Sequence, residues 1–69
     1  MDMTVGERIL IARRHAVWGQ AELARAAGIS VNTLWQIENG RRRPRPATIR
    51  KIATALGIDP SDLVSPSAQ

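Results

Sequence analysis

The chain has 69 residues, no cysteine, two aromatic side chains (both Trp), and ten Lys and Arg against six Asp and Glu. A single domain this small buries only about 60% of the surface its unfolded form exposes, which argues against an enzyme with a deep pocket. Without cysteine there is neither a disulfide framework nor a thiolate zinc site, so helix packing alone must hold the fold, in keeping with a reducing compartment. The longest apolar run, Ile9-Leu10-Ile11-Ala12, is far short of the roughly 20 residues that span a bilayer. The start, Met1-Asp2-Met3, lacks the basic, apolar, small-residue order of a signal peptide. The expectation is a soluble, cytoplasmic protein with no membrane partner.

Hydrophobic residues make up 43% of the chain, too many for a disordered segment, and they are Ala, Ile, Leu and Val rather than Phe or Tyr. The formal charge of +4 is almost wholly arginine, nine Arg to one Lys. A guanidinium fork suits phosphate and guanine edges, so this balance raises nucleic acid as a partner. Four of the arginines crowd into Arg41-Arg42-Arg43-Pro44-Arg45, a stretch that a solvated loop would explain equally well.

In chain order the helix signals predict five segments and no strand. Thr4-Val5-Gly6-Glu7 is a capping box, so a first helix starts near Val5 and runs to about Ala16, with Val5, Ile9, Ala12 and Ala16 on one face. Gly19 caps a second helix over 20–27, whose inner face is Leu23, Ala24 and Ala27 and which Gly28 stops in a left-handed cap. Ser30 opens a third helix through about Asn39, ended by Gly40. After the basic loop, Pro46 opens a fourth helix to Leu56 with Gly57 beyond it. Asp59-Pro60-Ser61-Asp62 repeats cap, proline and acid, predicting a short fifth helix to about Val64, before a loose tail over 65–69.

The turn Ala27-Gly28-Ile29-Ser30, short and containing Gly, is the sequence form of a helix-turn-helix. On a wheel of about 100° per residue the third helix turns Leu34 and Ile37 inward, places Asn32, Gln36 and Asn39 opposite, and leaves Trp35 at the edge. Asn and Gln donate and accept at once and so pair bidentately with adenine N6 and N7, which is what reading a major groove requires. Outward amides on a helix are ordinarily just solvated; their place directly after a helix-turn-helix favours the reading role. Gln20, in the first turn of the second helix, sits among free backbone N–H groups suited to a DNA phosphate. Asn39 and the arginines beyond it lie at the other end of the reading helix.

Gly19-Gln20-Ala21-Glu22-Leu23-Ala24, Ala27-Gly28-Ile29-Ser30, Leu34-Trp35-Gln36-Ile37-Glu38-Asn39-Gly40-Arg41-Arg42-Arg43-Pro44 and Leu56-Gly57-Ile58 together resemble the phage-repressor and Cro-like helix-turn-helix family, also called the xenobiotic-response-element (XRE) family. The resemblance covers residues 4–64. It implies an all-α, five-helix domain of the lambda-repressor type that binds double-stranded DNA, usually as a two-fold homodimer on a pseudo-palindromic operator, to regulate transcription. Matched residue by residue, it assigns base reading to Val31, Asn32 and Gln36, with Trp35 beside them. It assigns phosphate contact to Gln20, Asn39 and Arg41, with Arg42 and Arg43 adding charge, and a structural ion pair to Arg13 and Glu38. The expected domain is 1–64, the function that of a repressor acting at a prokaryotic or phage-type nucleoid, and no cofactor, metal or catalytic residue is implied.

Departures from the family pattern lie at named positions. Gly19 stands for the usual Ser or Thr cap, at a cost of only a few tenths of a kcal/mol. Ala12 and Trp18 each replace a common Leu, so the indole is expected to fill what Ala12 vacates. Val31, Trp35, Leu10 and Ile11 are apolar where the family is polar. Val31 suits a thymine methyl; Trp35 suits a sugar or thymine, the edge of the core, or a protein-binding patch. Leu10 and Ile11 raise the same alternative of a weak homodimer surface or a protein partner, as in an antitoxin or co-regulator on the same fold, against the plainer reading of ordinary scattered surface hydrophobes. His15, the single histidine, is expected at the surface, and Asp59 and Asp62 as helix caps.

Overall fold

The computed structural model describes residues 3–64; the expected tail over 65–69 lies outside the described residues. The capping box is formed in both directions: the Thr4 hydroxyl accepts from the Glu7 N–H at 3.1 Å, and the Glu7 carboxylate accepts from the Thr4 N–H at 2.8 Å. The first helix, α1, spans Val5–His15. Its inward face ends a turn earlier than the periodicity predicts. Ala16 is the C-cap and is exposed, because the chain turns there through Val17 in a left-handed conformation, φ 60°.

The second helix, α2, spans Gln20–Ala27. Only half of a capping box remains at its start, the Glu22 carboxylate accepting from the Gly19 N–H at 2.8 Å, since glycine has no side chain to return the bond. Gly28 ends it at φ 74°, and the Ile29 N–H reaches back to the Ala24 carbonyl at 2.9 Å, the closure that lets a helix stop in one residue. Two residues later the Ser30 hydroxyl accepts from the Thr33 N–H at 3.0 Å and starts α3, Val31–Glu38. The fourth helix, α4, spans Pro46–Leu56, with Pro46 at its first position.

The fifth helix is not formed as expected. Pro60–Asp62 is a single 3-10 turn, giving four α-helices rather than five among the described residues. The Asp59 carboxylate accepts from the Ser61 N–H and hydroxyl, both at 2.9 Å, and these bonds hold its pKa below the usual carboxylate value. The turn stops because Leu63 must drop into the core, where it is 1% exposed.

The core joins all four helices and the turn through Ile9, Leu23, Leu34, Ile37, Ile52 and Leu63, each almost wholly buried. Trp18, Val5 and Ala12 pack against it partly buried, so the indole does lie on the core. α2 packs on α4 and α3, and α1 lies across α3. The approach of α1 to α3 is close enough to demand glycine: a β-carbon on Gly6 would run into the Ile37 carbonyl oxygen and lie 3.0 Å from its carbon. Among the described residues there is no β-strand, and no helix long and apolar enough to cross a membrane.

Candidate nucleic-acid interface

The turn between α2 and α3 fixes which side of α3 is left uncovered. Leu34 and Ile37 face the core at 0% and 1% exposure, while Val31 and Trp35 are 45% and 42% exposed. Asn32 and Asn39 are exposed and Gln36 is half-buried on the same outer side. Val31, Asn32, Trp35 and Gln36 therefore share one accessible face of an eight-residue helix, held by the Ser30 cap at one end.

The opposite end of α3 is tied to α1 and α2 through Glu38. This side chain is 2% exposed and accepts three hydrogen bonds: from Arg13 Nε at 2.7 Å, Arg13 Nη2 at 3.0 Å and Gln20 Nε2 at 2.8 Å. Arg13 Nη1 also donates to the Trp18 carbonyl at 2.9 Å. One guanidinium thus links the end of α3 to the α1–α2 turn, and Gln20 ties the start of α2 to the same carboxylate. A buried carboxylate is tolerable only with such partners. Gln20 shares the acceptor through its amide nitrogen, so its side chain is held at the start of α2 with its amide oxygen and second N–H still available.

The basic loop does not extend freely from α3. Arg41 lies with its guanidinium carbon 5.6 Å from the centre of the Trp35 ring, within cation–π range. Arg42 Nε donates to Gln36 Oε1 at 3.0 Å. Asn39 donates from its amide to the Trp35 carbonyl at 2.8 Å and so closes the end of the helix. Arg42 and Arg43 border a groove of about 530 Å³ that also reaches Val5 and Gly6 at the start of α1.

The structure gathers most of the expected site residues at the C-terminal end of α3, where Gln20 bonds Glu38 and where Asn39, Arg41 and Arg42 fold back onto Trp35 and Gln36; Arg43 borders the neighbouring groove. Arg13 and Glu38 form the ion pair at that end. Leu10, expected outside with Ile11, is half-buried, while Ile11 is 39% exposed. His15 is exposed at the end of α1. Sequence reasoning missed the Arg42–Gln36 and Arg41–Trp35 pairs. Each joins residues six apart, and the i, i+3 and i, i+4 spacing of helical neighbours does not flag them; only the reversal of the chain at Gly40, φ 73°, brings them together.

Comparison with known proteins agrees with this architecture. A model of the helix-turn-helix domain matches residues 5–65, and the chain belongs to that family. The immunity repressor protein of Bacillus phage phi105 is 40% identical over 62 residues, covering 90% of this chain and 43% of the repressor. The crystal structure of the restriction-modification controller protein C.AhdI from Aeromonas hydrophila superposes with a TM-score of 0.84 at 32% identity, over 86% of this chain and 89% of that one. The P22 c2 repressor, crystallised with a synthetic operator, superposes with a TM-score of 0.85 at 26% identity, over 93% of this chain and 97% of that one. The chain spans less than half the length of the phage repressor, and 22% of the length of matching mycobacterial regulators.

Proposed function

We propose that this chain is the DNA-binding part of a transcriptional regulator of the repressor type, acting in the cytoplasm at the nucleoid, and not an enzyme. The observation that carries the reading is the outer face of α3, where Val31, Asn32, Trp35 and Gln36 are accessible together while the helix is anchored at both ends. In a major groove, Val31 meets a thymine methyl, Asn32 and Gln36 meet base edges, and Trp35 meets sugar or a thymine. Gln20 and the N-terminus of α2 contact one stretch of phosphates; Asn39, Arg41, Arg42 and Arg43 contact another. The phage and restriction-control proteins that share this fold support the reading, and the operator complex of one of them supports duplex DNA as the partner.

A homodimer on a pseudo-palindrome would set two α3 helices in successive major grooves, about 34–36 Å apart. Selection of bound sequences from a random duplex library tests both parts. The expected result is an enriched motif with two inverted half-sites centred about 10 base pairs apart. Binding that enriches no motif and tracks only ionic strength would refute sequence-specific regulation, because phosphate contacts alone produce that behaviour.

A further inference from the structure

We propose that Arg42 sets the base preference of Gln36, converting an amide suited to adenine into one suited to guanine. The proposal rests on the DNA-reading role of α3 given above and goes beyond it by assigning a base to Gln36 and by moving Arg42 from the phosphate contact given above to the base-reading face, where it orients the Gln36 amide.

The chemistry begins with the hydrogen bond from Arg42 Nε to Gln36 Oε1, 3.0 Å long. A guanidinium carries donors only, so the amide atom facing it is the oxygen, whichever way the amide might otherwise turn. The donor is charged, which makes this bond about twice as strong as a neutral one. Reading adenine requires a glutamine to accept from N6–H with its oxygen while donating to N7 with its nitrogen. In this protein one lone pair of the oxygen is already taken by Arg42, and an adenine amino group reaching the other would bring its hydrogens up against the guanidinium.

What Gln36 and Arg42 present outward is a set of N–H groups: the Gln36 amide nitrogen and the Arg42 Nη atoms. Guanine offers two acceptors in the major groove, N7 and O6, and is the one base whose edge there matches a pair of donors. Cytosine presents an amino donor, and thymine one acceptor beside a methyl. The rest of the surroundings leaves the pair intact. Arg41 is drawn aside over Trp35, and the Asn39 amide is held by the Trp35 carbonyl, so neither competes for the Gln36 oxygen.

The test is parallel selection from one random duplex library with the wild-type chain, Gln36→Met, Arg42→Met and Arg43→Met, each first checked by thermal unfolding. The position that loses its preference in Gln36→Met is the one Gln36 reads. There the wild-type chain is expected to select guanine, and Arg42→Met to lower the guanine-to-adenine ratio about tenfold, within the range a bidentate pair supplies. Arg43→Met, which removes the same charge without freeing the amide, is expected to weaken all sequences alike and keep the motif. Adenine at that position in the wild-type motif, an unchanged ratio in Arg42→Met, or no position lost in Gln36→Met would each overturn the pairing while leaving specific DNA binding in place. A wild-type selection with no motif at all overturns the DNA-reading role as well.

Discussion

Replacing Arg13 by Met keeps most of the side chain's length and removes every donor, which isolates what the guanidinium does. Glu38, with its side chain 2% exposed, would keep one of its three hydrogen bonds, that from the neutral amide of Gln20, and the Trp18 carbonyl would lose its side-chain donor. Stranding one member of a buried ion pair costs about 3–5 kcal/mol. A domain of this length has only roughly 5–15 kcal/mol of stability to lose, and each kcal/mol shifts the midpoint by about 4–8 °C. Arg13→Met is therefore expected to lower the thermal midpoint by about 12 °C or more, read by circular dichroism and cross-checked by urea unfolding. The double variant Arg13→Met, Glu38→Leu removes both charges, and apolar replacements of buried pairs are often neutral. It is expected to recover most of the loss, giving a coupling of about 2–3 kcal/mol. A single variant that loses less than about 1 kcal/mol, or a double variant no more stable than the single, would refute the view that Glu38 depends on Arg13.

Two further outcomes follow from backbone geometry. Gly6→Ala gains up to about 1 kcal/mol of helix propensity yet is expected to destabilise by about 2 kcal/mol or more, since the methyl meets the Ile37 backbone rather than a movable side chain; an unchanged or raised urea midpoint would contradict the close approach of α1 to α3. Val17 is 86% exposed at φ 60°, a conformation that costs an L-residue about 1–2 kcal/mol and that Asn adopts more readily. Val17→Asn is accordingly expected to stabilise by about 0.5–1 kcal/mol in thermal unfolding, and a loss of stability would show that this turn is not strained.

The four long helices were legible because their ends carry side-chain chemistry: Thr4 with Glu7, Ser30, Pro46, and the glycines after Ala27 and Leu56. These act over three or four residues, the distance at which sequence and structure are nearly the same thing. Asp59 and Pro60 marked a start equally well, but how far a helix runs depends on what the core needs next, and Leu63 ended this one after a single turn. Ala16 was misplaced for a related reason, since periodicity does not report where a chain must turn. On the candidate interface, the outward face of α3 followed from helical spacing and the burial of Leu34 and Ile37. The partners of Gln20, Gln36 and Trp35 did not, because each bond crosses a turn or joins separate helices, and only the folded arrangement decides which donor reaches which acceptor.

The fold-back of the basic loop has a thermodynamic side. Long cationic side chains normally bring about 2 kcal/mol of rotamer entropy each, and a ligand that immobilises them must overcome that loss when it binds. Arg41 over the Trp35 ring and Arg42 on the Gln36 amide have part of this freedom removed when the chain folds. Part of the ordering of these two cations is thereby shifted from association to folding, so a partner that engages them meets side chains already partly held.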